Sequence, residues 1–398
     1  MDLDVITIGG GLGGSTLAST VARSGRSVLV LEREKEFKDR VRGENMLPWG
    51  VAAARRLGVV NDLLAAGGHQ VPFFNVYFMG TQTEHRPFPM TTPTGEASLN
   101  MYHPDLQETL LAGATNAGVD VRRGAEVRSI AEQEGGWKVT FDENGETQSI
   151  TARLVVGADG RFSAMRQMGG FTVRRDPYNL RIAGTLVQDT QVPDDGVHLC
   201  LAPGFATFIA PLGRARARVY FIYVGAMGDR KLSGNAKVGE FLDGCRATNV
   251  PSVWFEGVSV VGPLAEFEGA DHWVSSPSKR GLALIGDAAG ATDPSWGCGL
   301  SKTLVDVEAL ATELASTDDW NAALQRYAAR HDDYFGKLHD ILSWWTTLIW
   351  SGGPEADARR ARVFPRMQQD PTGFPDPAGQ GPFGPCDERA RRLLLGEE

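Results

Sequence analysis

Near the start of the chain, Gly9-Gly10-Gly11-Leu12-Gly13-Gly14 carries the frame Gly9-x-Gly11-x-x-Gly14, a pattern suited to holding a pyrophosphate. Each glycine has its own reason: Gly9 for a tight turn, Gly11 so that a phosphate reaches the backbone, Gly14 so that helix and strand pack closely. Glu32 follows 23 residues after Gly9, where a carboxylate accepts hydrogen bonds from a ribose diol. Two more acids stand at strand-to-turn junctions, Asp159 in Gly157-Ala158-Asp159-Gly160 and Asp287 in Gly286-Asp287-Ala288-Ala289-Gly290. Beyond the second comes a glycine-rich turn, Pro294-Ser295-Trp296-Gly297-Cys298-Gly299-Leu300-Ser301, which runs into a helical pattern.

The elements that must position these groups can be read around them. Val5-Ile6-Thr7-Ile8 is a short, β-branched run of the kind buried in a parallel sheet. Leu17, Ala18, Val21 and Ala22 then recur at helical spacing, Gly25 marks a helix stop, and Ser27 to Leu31 form a second strand ending in Glu32. Leu154-Val155-Val156 and Leu282 to Ile285 are further apolar strands, each delivering one of the acids. The order strand, glycines, helix, strand, acid marks a dinucleotide site, and it leaves open whether the nucleotide is NAD or FAD. Between residues 176 and 275, runs such as Arg181–Val187 and Arg216–Val224 alternate as antiparallel strands do. Tyr334 to Trp350 has a helical apolar stripe and packs over a pocket or against a second copy. The segment from Ser351, with Pro371, Pro375, Pro377, Pro382 and Pro385 among glycines, reads as an extended wrap or a partly disordered end.

Composition narrows the classes of function. The 398 residues suffice for two or three domains or one large interleaved unit. Forty basic and 49 acidic residues leave a formal charge of -9, so the positive field that nucleic-acid binding needs is absent. Cys200, Cys245, Cys298 and Cys386 lie at least 45 residues apart, which suits neither a CxxC pair nor a zinc site, and they read as free thiols of a reducing compartment. No metal cluster stands out. The acidic start of the chain lacks a signal-peptide pattern, and no stretch reaches the ~20 apolar residues of a membrane span, so a cytoplasmic location is expected.

The three motifs in this order resemble the flavoprotein monooxygenases with the para-hydroxybenzoate hydroxylase fold, a group related to flavin halogenases and geranylgeranyl reductases. The resemblance covers most of residues 1 to 330. It implies an α/β fold: a Rossmann-like FAD-binding domain (1–75, 101–175 and 276–330) interleaved with an antiparallel β-sheet substrate domain (76–100 and 176–275), then a C-terminal helix and Pro/Gly-rich tail (331–398). It also implies that Asp287 holds the ribityl chain of FAD. Pro294, Gly297, Gly299 and Leu300 would shape the turn that faces the flavin, whose reduced form carries negative charge that free N–H groups stabilise. Gly9, Gly11, Gly14, Glu32, Arg33, Arg42, Gln107, Val127 and Asp159 complete the cofactor-binding set, with His103 standing where the family has an arginine. Phe208, Tyr220, Tyr223 and His198 form a pool of side chains that could face the flavin.

The resemblance implies an enzyme that inserts one oxygen atom from O2 into a small aromatic or unsaturated organic substrate through a flavin C4a-hydroperoxide, acting as a monomer or homodimer. Electrons would come from NAD(P)H or from a partner flavin reductase. Gly290 and Cys298 replace the histidine and glutamine of the commonest hydroxylases, which leaves the electron donor and substrate class open. Halogenation fits less well, because no lysine occurs between Asp39 and Trp137 and Phe205 to Pro211 lacks the Trp-x-Trp-x-Ile-Pro pattern. Two alternatives stay open: an FAD-dependent reductase of isoprenoid or polyene double bonds, and a non-catalytic flavin-binding protein.

Overall fold

Strands covered on both faces must be apolar on both faces, and Val5–Ile8 and Val28–Leu31 are buried along their whole length. The structure is a computed structural model describing residues 1–177, 180–225 and 231–398. β1 (Leu3–Ile8) leads through the glycine turn into α1 (Leu12–Arg23) and back to β2 (Val28–Glu32). The chain then leaves this sheet to place β3 (Phe73–Phe78) in a second one, and returns through α2 (His103–Asn116), β4 (Asp120–Arg123) and β5 (Glu146–Gly157). It leaves again for β6 (Leu180–Gln188), β7 (Gly196–Ala202), β8 (Phe205–Gly213) and β9 (Arg216–Val224). A second return supplies β10 (Leu282–Leu284) and α3 (Gly299–Ala315).

Two sheets result. In the first, the order β4-β2-β1-β5-β10 is parallel throughout. In the second, the main path is β6-β9-β8-β7-β3, antiparallel except for the parallel β7–β3 pair. Leu31, Ile8, Gly157 and Leu284 stand in one row of paired residues across the parallel sheet. Consequently Glu32, the Gly9 turn, Asp159 and Asp287 all emerge at the same carboxyl edge, where open α/β sheets bind ligands.

Close approach explains two of the glycines. Gly9 has φ +104°, and a methyl group there would lie 2.5 Å from the Ala158 carbonyl oxygen. A methyl group on Gly14 would lie 1.9 Å from the carbonyl oxygen of Gly9 itself, so the first turn of α1 can rest on the end of β1 only without a side chain.

Behind the sheets run α4 (Trp320–Trp350), α5 (Pro354–Gln369) and α6 (Glu388–Leu395). The segment from Ser351 is therefore not a simple extended tail. Glu355 and Asp357 sit in the first turn of α5, where they suit the helix dipole, and Asp387 caps α6 by accepting from the Ala390 N–H at 2.8 Å. The proline-rich stretch between them is pinned by side chains: Trp49 and Trp345 donate to the carbonyls of Pro377 and Pro375. All four cysteines are free thiols, three of them buried. Among the described residues no helix is long and apolar enough to cross a membrane.

Gly14→Ala should therefore destabilise the protein by about 1–3 kcal/mol or more, through overpacking. Gly113→Ala on α2, where a methyl group meets nothing within 4 Å, should leave stability equal or raised. Urea unfolding of the two variants checks the contrast.

Candidate active site

A cavity of about 1930 Å³ opens along the carboxyl edge of the parallel sheet and continues beneath the second sheet. That exceeds the roughly 300–1,000 Å³ of a pocket for one small ligand. Gly9, Gly11, Glu32, Arg33, Arg42 and Gln107 line it, as do Val127, Asp159 and Asp287. Pro294, Gly297, Gly299 and Leu300 line it as well. Gly14 does not, since its place is between helix and strand.

At the nucleotide end, the first N–H groups of α1 have no carbonyl of their own helix to bond, and they follow directly on Gly11. A methyl group on Gly11 would meet only the Gln107 side chain, at 3.3 Å, so the glycine leaves open space in front of the helix end. Glu32 is buried and held by two backbone donors, Gly10 N–H at 2.6 Å and Glu34 N–H at 2.7 Å. Arg33 is exposed and faces Glu34 at 3.5 Å. Arg42 has no hydrogen-bond or ion-pair partner among the described residues. Its pKa is lowered by burial in the wall, while Asp287 pulls the other way. His103 bonds the Gly43 carbonyl through Nδ1 at 2.9 Å, and burial pushes its pKa down to about 4, so it brings no positive charge to replace the family's arginine. Asp159 caps the following helix by accepting from the Met165 N–H at 3.0 Å, and its second oxygen is buried without a partner among the described residues.

The Asp287 turn is held from beneath by two cations that sequence reading does not single out. Lys302, fully buried on α3, donates to the carbonyls of Gly286 (2.8 Å) and Gly290 (2.5 Å) and pairs with Asp306 at 2.9 Å. Asp306 in turn accepts from the Gly286 N–H at 2.7 Å and from the Tyr334 hydroxyl at 2.5 Å. Arg166 donates to the Ala288 carbonyl at 2.7 Å and to that of Asp287. With its backbone fixed on both sides, Asp287 directs a carboxylate that has no protein partner among the described residues toward the cavity. The signal in the sequence is a Lys–Asp pair at i and i+4 set among apolar residues of one helix.

The turn before α3 is built with equal care. Asp293 accepts from the Ser295 N–H at 2.8 Å, and its own N–H donates to Asp271 at 2.5 Å. Asp271 lies in a cluster with Asp176 and His339, whose ligand atoms are within 4.8 Å of one another. Burial pushes the Asp271 carboxyl up to about 6. Gly297 adopts φ +67°, and α3 then begins at Gly299 with its free N–H groups beside the cavity.

Beneath the second sheet, Arg218 of β9 is wholly buried and bonds both Asp39 (2.9 Å) and Glu44 (2.7 Å). The Tyr220 hydroxyl reaches Glu44 at 2.8 Å and the Arg42 carbonyl at 2.7 Å. Burial pushes the Glu44 carboxyl up to about 7 against the pull of Arg218. Phe208 and Tyr220 line the cavity, but His198 and Tyr223 do not. Strand parity is the reason: Tyr220, Ile222 and Val224 face the cavity, so Tyr223 points to the opposite face, where it meets Glu266. His198 packs there against Trp254 and Tyr77.

An open glycine cradle, two free helix ends, an unpaired arginine and a carboxylate with no protein partner among the described residues suit a dinucleotide such as FAD. Residues 2–334 match the family described as FAD binding domain. Among curated proteins the chain is similar to digeranylgeranylglycerophospholipid reductase 1 of Methanococcoides burtonii, at 27% identity over 84% of this chain and 80% of that one. It is also similar to squalene monooxygenase of Rattus norvegicus, at 25% identity over 77% of this chain, spanning 54% of the relative's length. The solved structure of p-nitrophenol 4-monooxygenase from Pseudomonas putida shares the fold, with a TM-score of 0.80 and 20% identity over 92% of this chain and 94% of that one.

Replacing Lys302 by methionine should leave Asp306 as an uncompensated buried charge and cost about 3–5 kcal/mol. Chemical denaturation, read beside the flavin content of the purified variant, tests whether the Asp287 turn loosens with it.

Proposed function

The chain is an oxidoreductase that belongs to the FAD binding domain family, and from that premise we propose that it is a monooxygenase inserting one oxygen atom of O2 into an aromatic or unsaturated organic substrate. The observation that carries this reading is the continuity of the cavity. The end that fits a dinucleotide and the apolar space under the second sheet form one continuous cavity, so cofactor and substrate can meet within it.

In this reading the chain's own residues bind, orient and exclude. Gly11 and the first turn of α1 receive the pyrophosphate, with Arg42 offering positive charge nearby, and Glu32 accepts from the adenosine ribose. Asp287 would hold the ribityl chain by accepting from its hydroxyls, and the free N–H groups of Gly299 and Leu300 would stabilise the negative charge that a flavin gains on reduction. Gln107, Val127, Arg33 and Asp159 complete the enclosure. Bound FAD, reduced by NAD(P)H or by a partner flavin reductase, supplies the activation of O2. The domain limits of the sequence reading, with residues 276–330 returning to the first sheet, are part of the same proposal.

A second reading, reduction of a polyene double bond, is favoured by the similarity to the archaeal reductase. Isotopically labelled O2 separates the two. The reduced protein, given O2 and a panel of aromatic and polyene compounds, should place one labelled atom in each product molecule. Saturated product formed without O2 uptake would replace the monooxygenase by the reductase.

Gly11→Val should fill the cradle and yield apo-protein, and Asp287→Ala should weaken flavin retention while keeping the fold. Visible flavin absorbance measured after purification and dialysis reports both.

A further inference from the structure

The half of the cavity away from the glycine turn has its own chemistry. Leu199 and Leu201 of β7 and Ile222 and Val224 of β9 line one wall, each pair two residues apart and so on one face of the sheet. Trp345 and Trp350 of α4 and Phe364 and Met367 of α5 line the other. Trp350 packs directly on the sheet side chains. The wall is long: Tyr220 bonds the Arg42 carbonyl at one end, and Val224 lies four residues further along β9, roughly 13 Å at ~3.3 Å per residue. Phe364 and Met367 extend the space further along α5.

The cations of this half are already committed. Arg86 pairs with Asp376 at 2.6 Å. Arg360 pairs with Asp357 at 2.6 Å and also donates to the carbonyls of Leu348 and Ser351. Glu84 also lines the cavity, and burial pushes its carboxyl above the usual value. An anionic substrate lying against these walls would find no uncommitted cation among the described residues lining this half, and burying a carboxylate without a partner is costly.

We propose that this chamber binds an elongated, uncharged, apolar substrate, lying between the second sheet and the helices α4 and α5 with its reacting end at the turn before α3. The assignment rests on the monooxygenase reading for what occupies the nucleotide end. The sequence reading of a small substrate is thereby narrowed to a long apolar one.

Three probes test it with the FAD-loaded protein: farnesol, its carboxylate counterpart farnesoate, and 4-hydroxybenzoate as a small aromatic acid. Binding is followed by quenching of tryptophan fluorescence and by perturbation of the oxidised flavin spectrum. Farnesol should bind at least about tenfold more tightly than either anion. Leu201→Asp should remove that preference while flavin content stays unchanged, and Met367→Asp makes the same test from the opposite wall without touching the sheet. Farnesoate or 4-hydroxybenzoate binding as tightly as farnesol, or no binding of farnesol, would overturn the assignment. Oxygen uptake is scored separately: a farnesol preference without uptake keeps the chamber and removes the monooxygenase reading.

Discussion

The buried pair of Lys302 and Asp306 is the interaction to which the cofactor end of the cavity is referred. One helix, α3, carries both residues, and its first turn also lines the cavity at Gly299 and Leu300. Through Lys302 the same helix grips the carbonyls on either side of Asp287, and through Asp306 it grips the Gly286 N–H and the Tyr334 hydroxyl. The distance between the Asp287 carboxylate and the helix end is thus fixed by one rigid element rather than by two loops. Desolvating two charges is costly, and the arrangement is tolerable because nearly every lone pair and proton of the pair is used. Such a pair is weak as a source of stability and strong as a specification of geometry.

Arg218 plays the corresponding part between the sheets. It belongs to β9, yet its partners Asp39 and Glu44 flank the loop that presents Arg42. The Tyr220 hydroxyl adds a bond to the Arg42 carbonyl itself. The loop bearing Arg42, which has no partner among the described residues, is therefore registered against the second sheet. With the Lys302 knot, this makes the cavity a space between fixed walls.

What is legible in the sequence follows from how local each constraint is. The glycine frame, Glu32, Asp159 and Asp287 are readable because a tight turn at a strand end needs particular residues at fixed spacing, whatever the rest of the chain does. The interleaving of the two sheets is readable from period-two patterns between the motifs. Lys302 and Asp306 escape notice because a Lys–Asp pair at i and i+4 reads as a solvated helix face; the packing of α4 and of the Asp287 turn against α3 buries it. His198 and Tyr223 enter the pool of cavity residues because parity along a strand cannot be set without knowing which face is covered. The helices α5 and α6 are obscured by the prolines and glycines that join them, which are pinned in part by Trp49, 328 residues before Pro377.

Those last contacts carry a consequence for how the molecule comes to exist. Trp49 bonds the carbonyl of Pro377, and the cavity wall draws on residues from Ile8 to Gln380. No contiguous half of the polypeptide encloses the space. Contacts of such sequence separation form slowly, so the cavity closes only when α4, α5 and the segment to Gln380 have packed against the sheets. Any molecule that binds within it then favours the assembled cavity over every partial one by mass action, which makes occupancy of the cavity a check on the joining of its distant segments.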